Sequence, residues 1–130
     1  MVRRYNRLLV AFYVLSDEQI RDEYRRACAV LLPGEEDFGI VPVEAQACGR
    51  PVVALARGGA LETITPGETG ILFDDFTPGS MATALDAVAV AQFDPERLRA
   101  NAQRFSRERH VERMHAVIDE TVDAPIGTRW

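Results

Sequence analysis

Two glutamates and a glycine in this chain have the residue types and the spacing needed to bind a polar ligand. Glu36 and Glu44 are separated by seven residues, and Gly39 lies between them at the start of a short apolar segment. That segment predicts a helix, because it closes at Gly49 and glycine is common just after helix C-termini. A helix beginning at Gly39 offers free backbone N–H groups, and helical side chains lean toward the N-terminus. We therefore expect Glu36, from the loop, and Glu44, from the helix, to reach one site.

The amides expected to face this site belong to Gly39, Ile40 and Val41. Helix N-terminal amides bind phosphate groups, and carboxylates accept hydrogen bonds from hydroxyls. Pro42 is compatible with a first helical turn, where its missing N–H has no intrahelical acceptor to lose. The pattern therefore favours a ligand with hydroxyls at both ends and an anionic linkage between them, as in a nucleoside diphosphate sugar.

Apolar runs on both sides of the segment predict the elements that position it. Residues 29–33 and 51–56 are short apolar runs of the kind found in buried strands, and residues 71–73 form a third. A helix over residues 40–48 between two such strands indicates a parallel α/β unit. Ligands of open parallel sheets bind beyond the carboxyl ends of the strands, which is where the glutamate segment falls.

The region before this unit predicts one strand and one helix. Residues 8–12 are typical of a strand, and Ser16 with Gln19 forms a capping box at the start of a helix. One face of that helix is expected to be buried, and its arginines are expected to form a solvated face. The buried face comprises Ile20, Tyr24, Ala27 and Cys28.

The region after the unit predicts a tight turn and a helical C-terminus. Gly58 and Gly59 are expected to form a tight turn of the backbone. Three helices are expected to start near Thr77, Asp94 and Ser106, with Asp94 and Ser106 as the N-caps of the second and third. The predicted domain covers residues 1–123, and residues 124–130 form a tail.

Composition excludes several classes of protein. The 130 residues carry a net charge of -5 with acids and bases interspersed, so no basic stripe is present for nucleic acid. A hydrophobic fraction of 47% excludes a disordered chain.

Residues 8–15 follow three arginines and resemble a signal peptide, but a helix start follows them in place of a cleavage site. The expected location is the cytoplasm, with peripheral membrane association as part of a complete enzyme.

Neither a metal nor another cofactor is expected. Cys28 and Cys48 are interpreted as small reduced core residues, with a disulfide or a metal site as the alternative. Asp74 and Asp75 are interpreted as a polar strand end, since no third oxygen ligand is near in sequence. His110 and His115 are five residues apart, whereas histidine pairs that bind metal from one helix favour a spacing of four.

Four stretches of the chain together resemble a known family. A glutamate pair at this spacing, with Phe-Gly before a short helix, is similar to the signature of retaining glycosyltransferases of family 4, which have the GT-B fold. The similarity continues through a Gly-Arg-Pro-Val-Val-Ala strand entry and a glycine pair followed by Ala-Leu-Glu-Thr-Ile. The stretches are residues 36–45, 49–54, 58–64 and 70–73. The resemblance extends from about residue 14 to 122 and corresponds to the distal half of the second, Rossmann-like domain.

The resemblance implies a role for each residue of the motif. Glu36 would face the donor sugar and support the reacting centre, which makes it the expected catalytic residue, and Glu44 would bind the ribose. The loop at Gly58 and Gly59 would approach the donor sugar. The remaining donor-binding positions would be Phe38, Gly39, Ile40 and Val41. The acidic loop is similar to that of mannosyltransferase-like members, which favours GDP-mannose slightly over UDP-sugars.

The family's other parts have no counterpart in this sequence. These are the first, acceptor-binding domain, the first two strands of the second domain, and the basic residues that neutralise the diphosphate. Two functional classes therefore stay open: the donor-binding part of a glycosyltransferase, inactive alone, and a non-catalytic nucleotide-sugar-binding or relic module. The expected sheet contains three parallel strands in consecutive order within residues 29–73. Its open edge is expected to be covered by a separate acceptor-domain chain, by a rearranged N-terminal strand or by a second copy, and the first fifteen residues are expected to pack non-natively or against a partner.

Overall fold

The computed structural model describes residues 15–125, which form a three-stranded parallel sheet flanked by helices. This is the α/β class predicted from the sequence, including the helical C-terminus, and that prediction is confirmed. The strands are β1 Val30–Leu32, β2 Val52–Leu55 and β3 Gly70–Phe73. The helices are α1 Asp17–Arg26, α2 Ile40–Ala47, α3 Ala60–Thr63, α4 Pro78–Val90, α5 Pro95–Gln103 and α6 Arg107–Asp123.

The strands lie in the order β1-β2-β3, and both neighbouring pairs are parallel. Val52 of β2 is paired with Val30 on one side and with Gly70 on the other. The consecutive order expected for this part of the chain is therefore confirmed. The strand predicted at residues 8–12, and with it the expected packing of the N-terminus, lies outside the described residues.

The core is divided between the two faces of β2. Side chains alternate along a strand, so Val52 and Ala54 pack on one face while Val53 and Leu55 pack on the other. The first face is covered by α2 and α3, and the second by α4. All four residues of β2 are buried, as expected for a central strand of a parallel sheet with helices on both sides.

The predicted helix starts are confirmed. Ser16 accepts a hydrogen bond from the Gln19 amide and its own amide donates to Gln19 Oε1 at 2.9 Å, which completes the capping box. Thr77, Asp94 and Ser106 each accept from a first-turn amide of the helix that they precede. These side chains satisfy donors that the helices cannot pair internally.

The structure corrects the assignment of Cys28 to the core. Helix α1 ends at Arg26, and Ala27 already has an extended conformation with φ -69° and ψ 148°. Cys28 therefore belongs to the loop entering β1 and is exposed, whereas Cys48 at the end of α2 is half-buried. The face of α1 that carries Ile20 and Tyr24 is also only half-buried. Within residues 15–125, no helix has both the length and the apolar character needed to cross a membrane.

Candidate functional site

Helix α2 starts at the carboxyl end of the sheet with an open N-terminus. The chain leaves β1, passes through the acidic loop and enters α2 at Gly39, whose φ of 77° is in the left-handed region that favours glycine. No side chain caps this helix, and its first turn contains no acidic residue. The first amides of a helix have no intrahelical acceptor, so those of Ile40 and Val41 are available as hydrogen-bond donors.

The glycine pair lies directly against the backbone of the acidic loop. The Gly59 amide donates to the Glu36 carbonyl at 2.7 Å. A Cβ atom at Gly59 would lie 2.1 Å from the Phe38 carbonyl oxygen, and one at Gly58 would lie 2.3 Å from that of Glu36. Glycine is therefore required at both positions to hold the loop that carries Glu36. Direct contact of the pair with a sugar stays a prediction.

Glu44 has a partner that the sequence did not indicate. The Tyr24 hydroxyl donates to Glu44 Oε2 at 2.8 Å. Burial, the hydrogen bond and the negative charge of Glu44 raise the pKa of Tyr24 above its ordinary value, and the charge of Glu36 adds to this effect. Both carboxylates therefore act on one phenol, although they come from a loop and a helix. A tyrosine on a half-buried helical face needs a partner for its hydroxyl, but the sequence does not identify that partner.

The predicted site residues form an open surface. Glu36, Ile40, Glu44 and Gly58 are exposed, Val41 is half-buried, and Gly39 and Gly59 are buried. The Phe38 side chain is 50% exposed and meets the ring of Phe105 edge-on, with 6.1 Å between the ring centroids. Phe105 follows α5 and was not among the predicted site residues.

A buried polar network lies beneath α2. Gln46 donates through Nε2 to the Thr63 carbonyl at 2.9 Å, and Asn101 donates to the same carbonyl at 2.9 Å and to Gln46 Oε1 at 2.6 Å. The Thr63 hydroxyl donates in turn to the Gly59 carbonyl at 2.8 Å. The network thus connects α2, α3 and α5 with the glycine that supports the Glu36 loop. Sequence reasoning missed it, because its members lie up to 55 residues apart.

The charges around the site are mainly acidic. Glu35, Glu36 and Asp37 are exposed in the loop. Arg57, just before the glycine pair, is an exposed cation that also follows the carboxyl end of a strand, β2. No group of three or more potential metal-binding side chains occurs in the part of the chain that the structure describes. The arrangement offers backbone donors to an anion and carboxylates to hydroxyls.

Comparison with known proteins gives concordant results. The family profile described as "Glycosyl transferases group 1" matches residues 6–105. A D-inositol 3-phosphate glycosyltransferase from Thermomonospora curvata is 41% identical over 85 residues, which cover 65% of this chain and 20% of that protein. A protein named D-inositol 3-phosphate glycosyltransferase 1 from Catenulispora acidiphila is 36% identical over 117 residues, covering 84% of this chain and 27% of that protein.

A solved structure agrees with the sequence matches. Sucrose-phosphate synthase from Thermosynechococcus elongatus superposes with a TM-score of 0.70 at 29% identity, over 88% of this chain and 31% of that one. The chain thus spans 20% and 27% of the length of the two curated relatives named above.

Proposed function

The chain belongs to the group 1 glycosyl transferases, and on that premise we propose that it forms the donor-binding part of a retaining glycosyltransferase. The reaction would transfer a hexose, with mannose as the first candidate, from a nucleoside diphosphate sugar to an acceptor hydroxyl. The observation that carries the proposal is the uncapped start of α2, with Glu36 and Glu44 beside it. A nucleoside diphosphate sugar presents phosphate to the amides and hydroxyls to both carboxylates.

Each part of the site would have a distinct role. The amides of Gly39, Ile40 and Val41 would bind the diphosphate, since the positive end of a helix dipole favours negative charge. Glu44, held by Tyr24, would accept hydrogen bonds from the ribose hydroxyls. Glu36 would bind the donor sugar from the loop that the Gly59 amide fixes.

The proposed chemistry breaks the bond between the anomeric carbon and the diphosphate oxygen. A bond from that carbon to the acceptor oxygen forms with retained configuration, the acceptor hydroxyl gives its proton to the departing diphosphate, and the protonated nucleoside diphosphate leaves. Negative charge grows on the departing diphosphate, where the α2 amides would stabilise it without reorganising. Positive charge grows on the sugar, where the Glu36 carboxylate would stabilise it. Glu36 thus acts by charge and hydrogen bonding, and no metal or other cofactor is part of the proposal.

The second candidate is a binding module that transfers nothing. The described residues supply amides and carboxylates for the donor but no recognisable acceptor site, and that observation fits both candidates. The two differ in one respect: the module would bind a nucleotide sugar without catalysing transfer in any assembly.

The relatives carry D-inositol 3-phosphate in their names, so this polyol is the first acceptor to test. We also propose a cytoplasmic location, with membrane contact only through a complete enzyme.

Calorimetry with a panel of nucleoside diphosphates and their sugars tests the donor site. We expect Glu36→Ala and Glu44→Ala each to weaken donor binding by about one to two decades, because each removes a charge-assisted hydrogen-bond acceptor. Glu36→Ala should affect only the sugar-bearing ligands, whereas Glu44→Ala should also weaken binding of the free nucleoside diphosphate.

Glu68→Ala provides the matched control. Glu68 is exposed and precedes β3, so it lies at the amino ends of the parallel strands, whereas α2 starts at their carboxyl ends. Its replacement should leave donor affinity unchanged. If the wild type binds none of these ligands, or if the wild type and the three variants bind the donor with equal affinity, the proposed site is wrong.

A further inference from the structure

Helix α1 is held in place by few contacts. None of its residues is fully buried, and within residues 15–125 it packs mainly against α2. Tyr24 is the side chain of α1 that packs against the buried cluster beneath α2. The ion pairs of Arg25 with Asp22 and of Arg26 with Glu23 lie within the helix and attach it to nothing else. The position of α1 therefore depends on a small number of interactions.

Two hydrogen bonds among the described residues join α1 to later parts of the chain. One is the bond from the Tyr24 hydroxyl to Glu44 Oε2 at 2.8 Å. In the other, the guanidinium of Arg50 donates through Nη2 to the carbonyl of Arg25, in the last turn of α1. The last carbonyls of a helix have no intrahelical donor and carry the negative end of the helix dipole. A cation is therefore well placed to hold this end of α1.

Arg50 lies between the end of α2 and the start of β2. Its side chain is half-buried, and its Nε is buried without a hydrogen-bond partner in the part of the chain that the structure describes. The side chain thus gives up hydration to reach the Arg25 carbonyl. Its backbone is fixed as well, because the Arg50 amide donates to the Ala45 carbonyl at 2.9 Å. Arg50 therefore joins the end of α1 to the helix that carries Glu44.

The two bonds of α1 involve neighbouring residues. Arg25 directly follows Tyr24, so a fixed Arg25 carbonyl also fixes the backbone from which the Tyr24 ring extends. Glu44 is exposed and forms no ion pair within residues 15–125, so the Tyr24 hydroxyl selects its rotamer. Burial and Glu44 raise the pKa of Tyr24, so the phenol keeps its proton and stays a donor near neutral pH.

We propose that Tyr24 and Arg50 are positioning residues of the donor site, which hold the Glu44 carboxylate in the rotamer that accepts the ribose hydroxyls. The inference rests on the proposed function, in which Glu44 binds the ribose of a nucleoside diphosphate. A carboxylate that is held in one rotamer beforehand loses less conformational entropy when the ribose binds. Arg50 would act through α1 and Tyr24, and Tyr24 through Glu44.

Ligands that differ only in the ribose hydroxyls test this inference. Calorimetry on the full 130-residue chain compares GDP and UDP with their 2′,3′-dideoxy analogues, which keep the base and the diphosphate. We expect Tyr24→Phe and Arg50→Gln each to weaken binding of the preferred nucleotide about three- to tenfold, since each releases the Glu44 rotamer. Affinity for the dideoxy analogue should stay unchanged, because that ligand has no hydroxyl for Glu44 to bind.

Double variants test whether the two residues act through Glu44. In a Glu44→Ala background, Tyr24→Phe and Arg50→Gln should leave nucleotide affinity unchanged, since the group that they position is gone. Arg26→Gln is the control, because Arg26 is also in the last turn of α1 but is 65% exposed and pairs with Glu23 of the same helix. It should bind both ligands like the wild type. If Arg50→Gln does not fold, the milder Arg50→Lys is measured in its place, with a smaller loss of the same selectivity expected.

The outcomes separate this inference from the proposed function. A wild type that binds the nucleotide and its dideoxy analogue equally, or binds neither, overturns the ribose site and with it both proposals. A wild type that distinguishes the two ligands through Glu44, and still does so fully in Tyr24→Phe or in the Arg50 variant, overturns the inference alone. Equal losses for both ligands overturn it as well, because they would show that the two residues only stabilise the fold.

Discussion

Gly59 lies where one added methyl group would overlap the backbone of the acidic loop. The overlap involves the Phe38 carbonyl at 2.1 Å, and a backbone atom cannot be displaced by a rotamer change. We expect Gly59→Ala to lower the free energy of unfolding by about 2–3 kcal/mol, as for other cases of overpacking. Chemical denaturation monitored by circular dichroism measures this loss.

Gly79 is the control for Gly59. It lies in the first turn of α4, and an added Cβ would meet nothing within 4 Å. Gly79→Ala should be neutral or stabilise the protein by about 0.5 kcal/mol, because alanine loses less backbone entropy in a helix. Equal losses at the two positions would contradict the close contact assigned to Gly59.

The hydroxyl of Tyr24 gives stability a defined dependence on pH. Its pKa in the folded protein is raised by burial and by the Glu44 carboxylate, so the folded state favours the neutral phenol. The stabilisation is fully present below the unfolded pKa of about 10 and is lost as the pH rises through the folded pKa. We expect Tyr24→Phe to cost about 1 kcal/mol at pH 7, a value reduced for partial exposure.

Urea denaturation of wild type and Tyr24→Phe from pH 6 to pH 11 measures this effect. The difference in free energy of unfolding should be constant to about pH 9 and should shrink above pH 10. Glu44→Gln is the companion variant, because it removes the negative charge and keeps a hydrogen-bond acceptor. A difference that grows at high pH would show that the hydrogen bond to Glu44 is not what Tyr24 contributes.

Individual residues were predicted well where local chemistry determines them. The N-caps at Ser16, Asp94 and Ser106 follow from the chain within four residues of each cap, and all three are confirmed. Cys28 was assigned to the core because an apolar spacing continued past the end of α1. The turn of the backbone at Ala27 ended that helix first. The Tyr24–Glu44 bond spans 20 residues, so no local pattern could identify it.

At the level of elements, α2 is held by its apolar face on the sheet and by a buried polar contact with α5. Asn101 supplies one amide group to both Gln46 Oε1 and the Thr63 carbonyl. All three residues are buried, so removing the Asn101 donor leaves Gln46 Oε1 without a hydrogen-bond partner, while the Thr63 carbonyl keeps its bond from Gln46 Nε2. The position of α2, and with it the Gly39 helix start, therefore depends on α5.

We expect Asn101→Leu to lower the free energy of unfolding by about 2–3 kcal/mol, since Gln46 Oε1 is left unpaired in the core. Gln46→Leu should cost a similar amount, and the double variant less than the sum, because one network is removed in both cases. Thermal and urea denaturation of the four proteins complete the cycle. Strict additivity would mean that the two amides stabilise the fold independently.

The elements themselves were predictable because each has a strong local signal. The three strands are short apolar runs with a glycine or proline near one end or the other, and their parallel order follows from the helices between them. How α5 contacts α2 could not be predicted, since the network that joins them depends on side chains far apart in sequence.

At the scale of the molecule, residues 15–125 supply the groups proposed to bind the donor, and these groups are open to solvent. Glu36, Ile40 and Glu44 are all exposed, and the edge strands of the described sheet are β1 and β3. Transfer of a sugar requires water to be excluded from the reacting carbon, because an exposed intermediate would be hydrolysed. Donor binding and transfer should therefore be separable in this chain.

The last prediction is that the 130-residue polypeptide binds the nucleotide sugar but neither transfers nor hydrolyses it at a measurable rate. The α2 amides and the two carboxylates can provide binding energy, but no acceptor site is recognisable among residues 15–125, and correct positioning supplies a large share of catalysis between two substrates. Calorimetry and release of nucleoside diphosphate from one preparation measure the two properties together. Glu36→Ala is the control, since turnover that persists in it comes from a contaminant. Turnover in the wild type that Glu36→Ala abolishes would show that the chain assembles a complete active site, with the acceptor side formed by residues outside 15–125 or by a second copy.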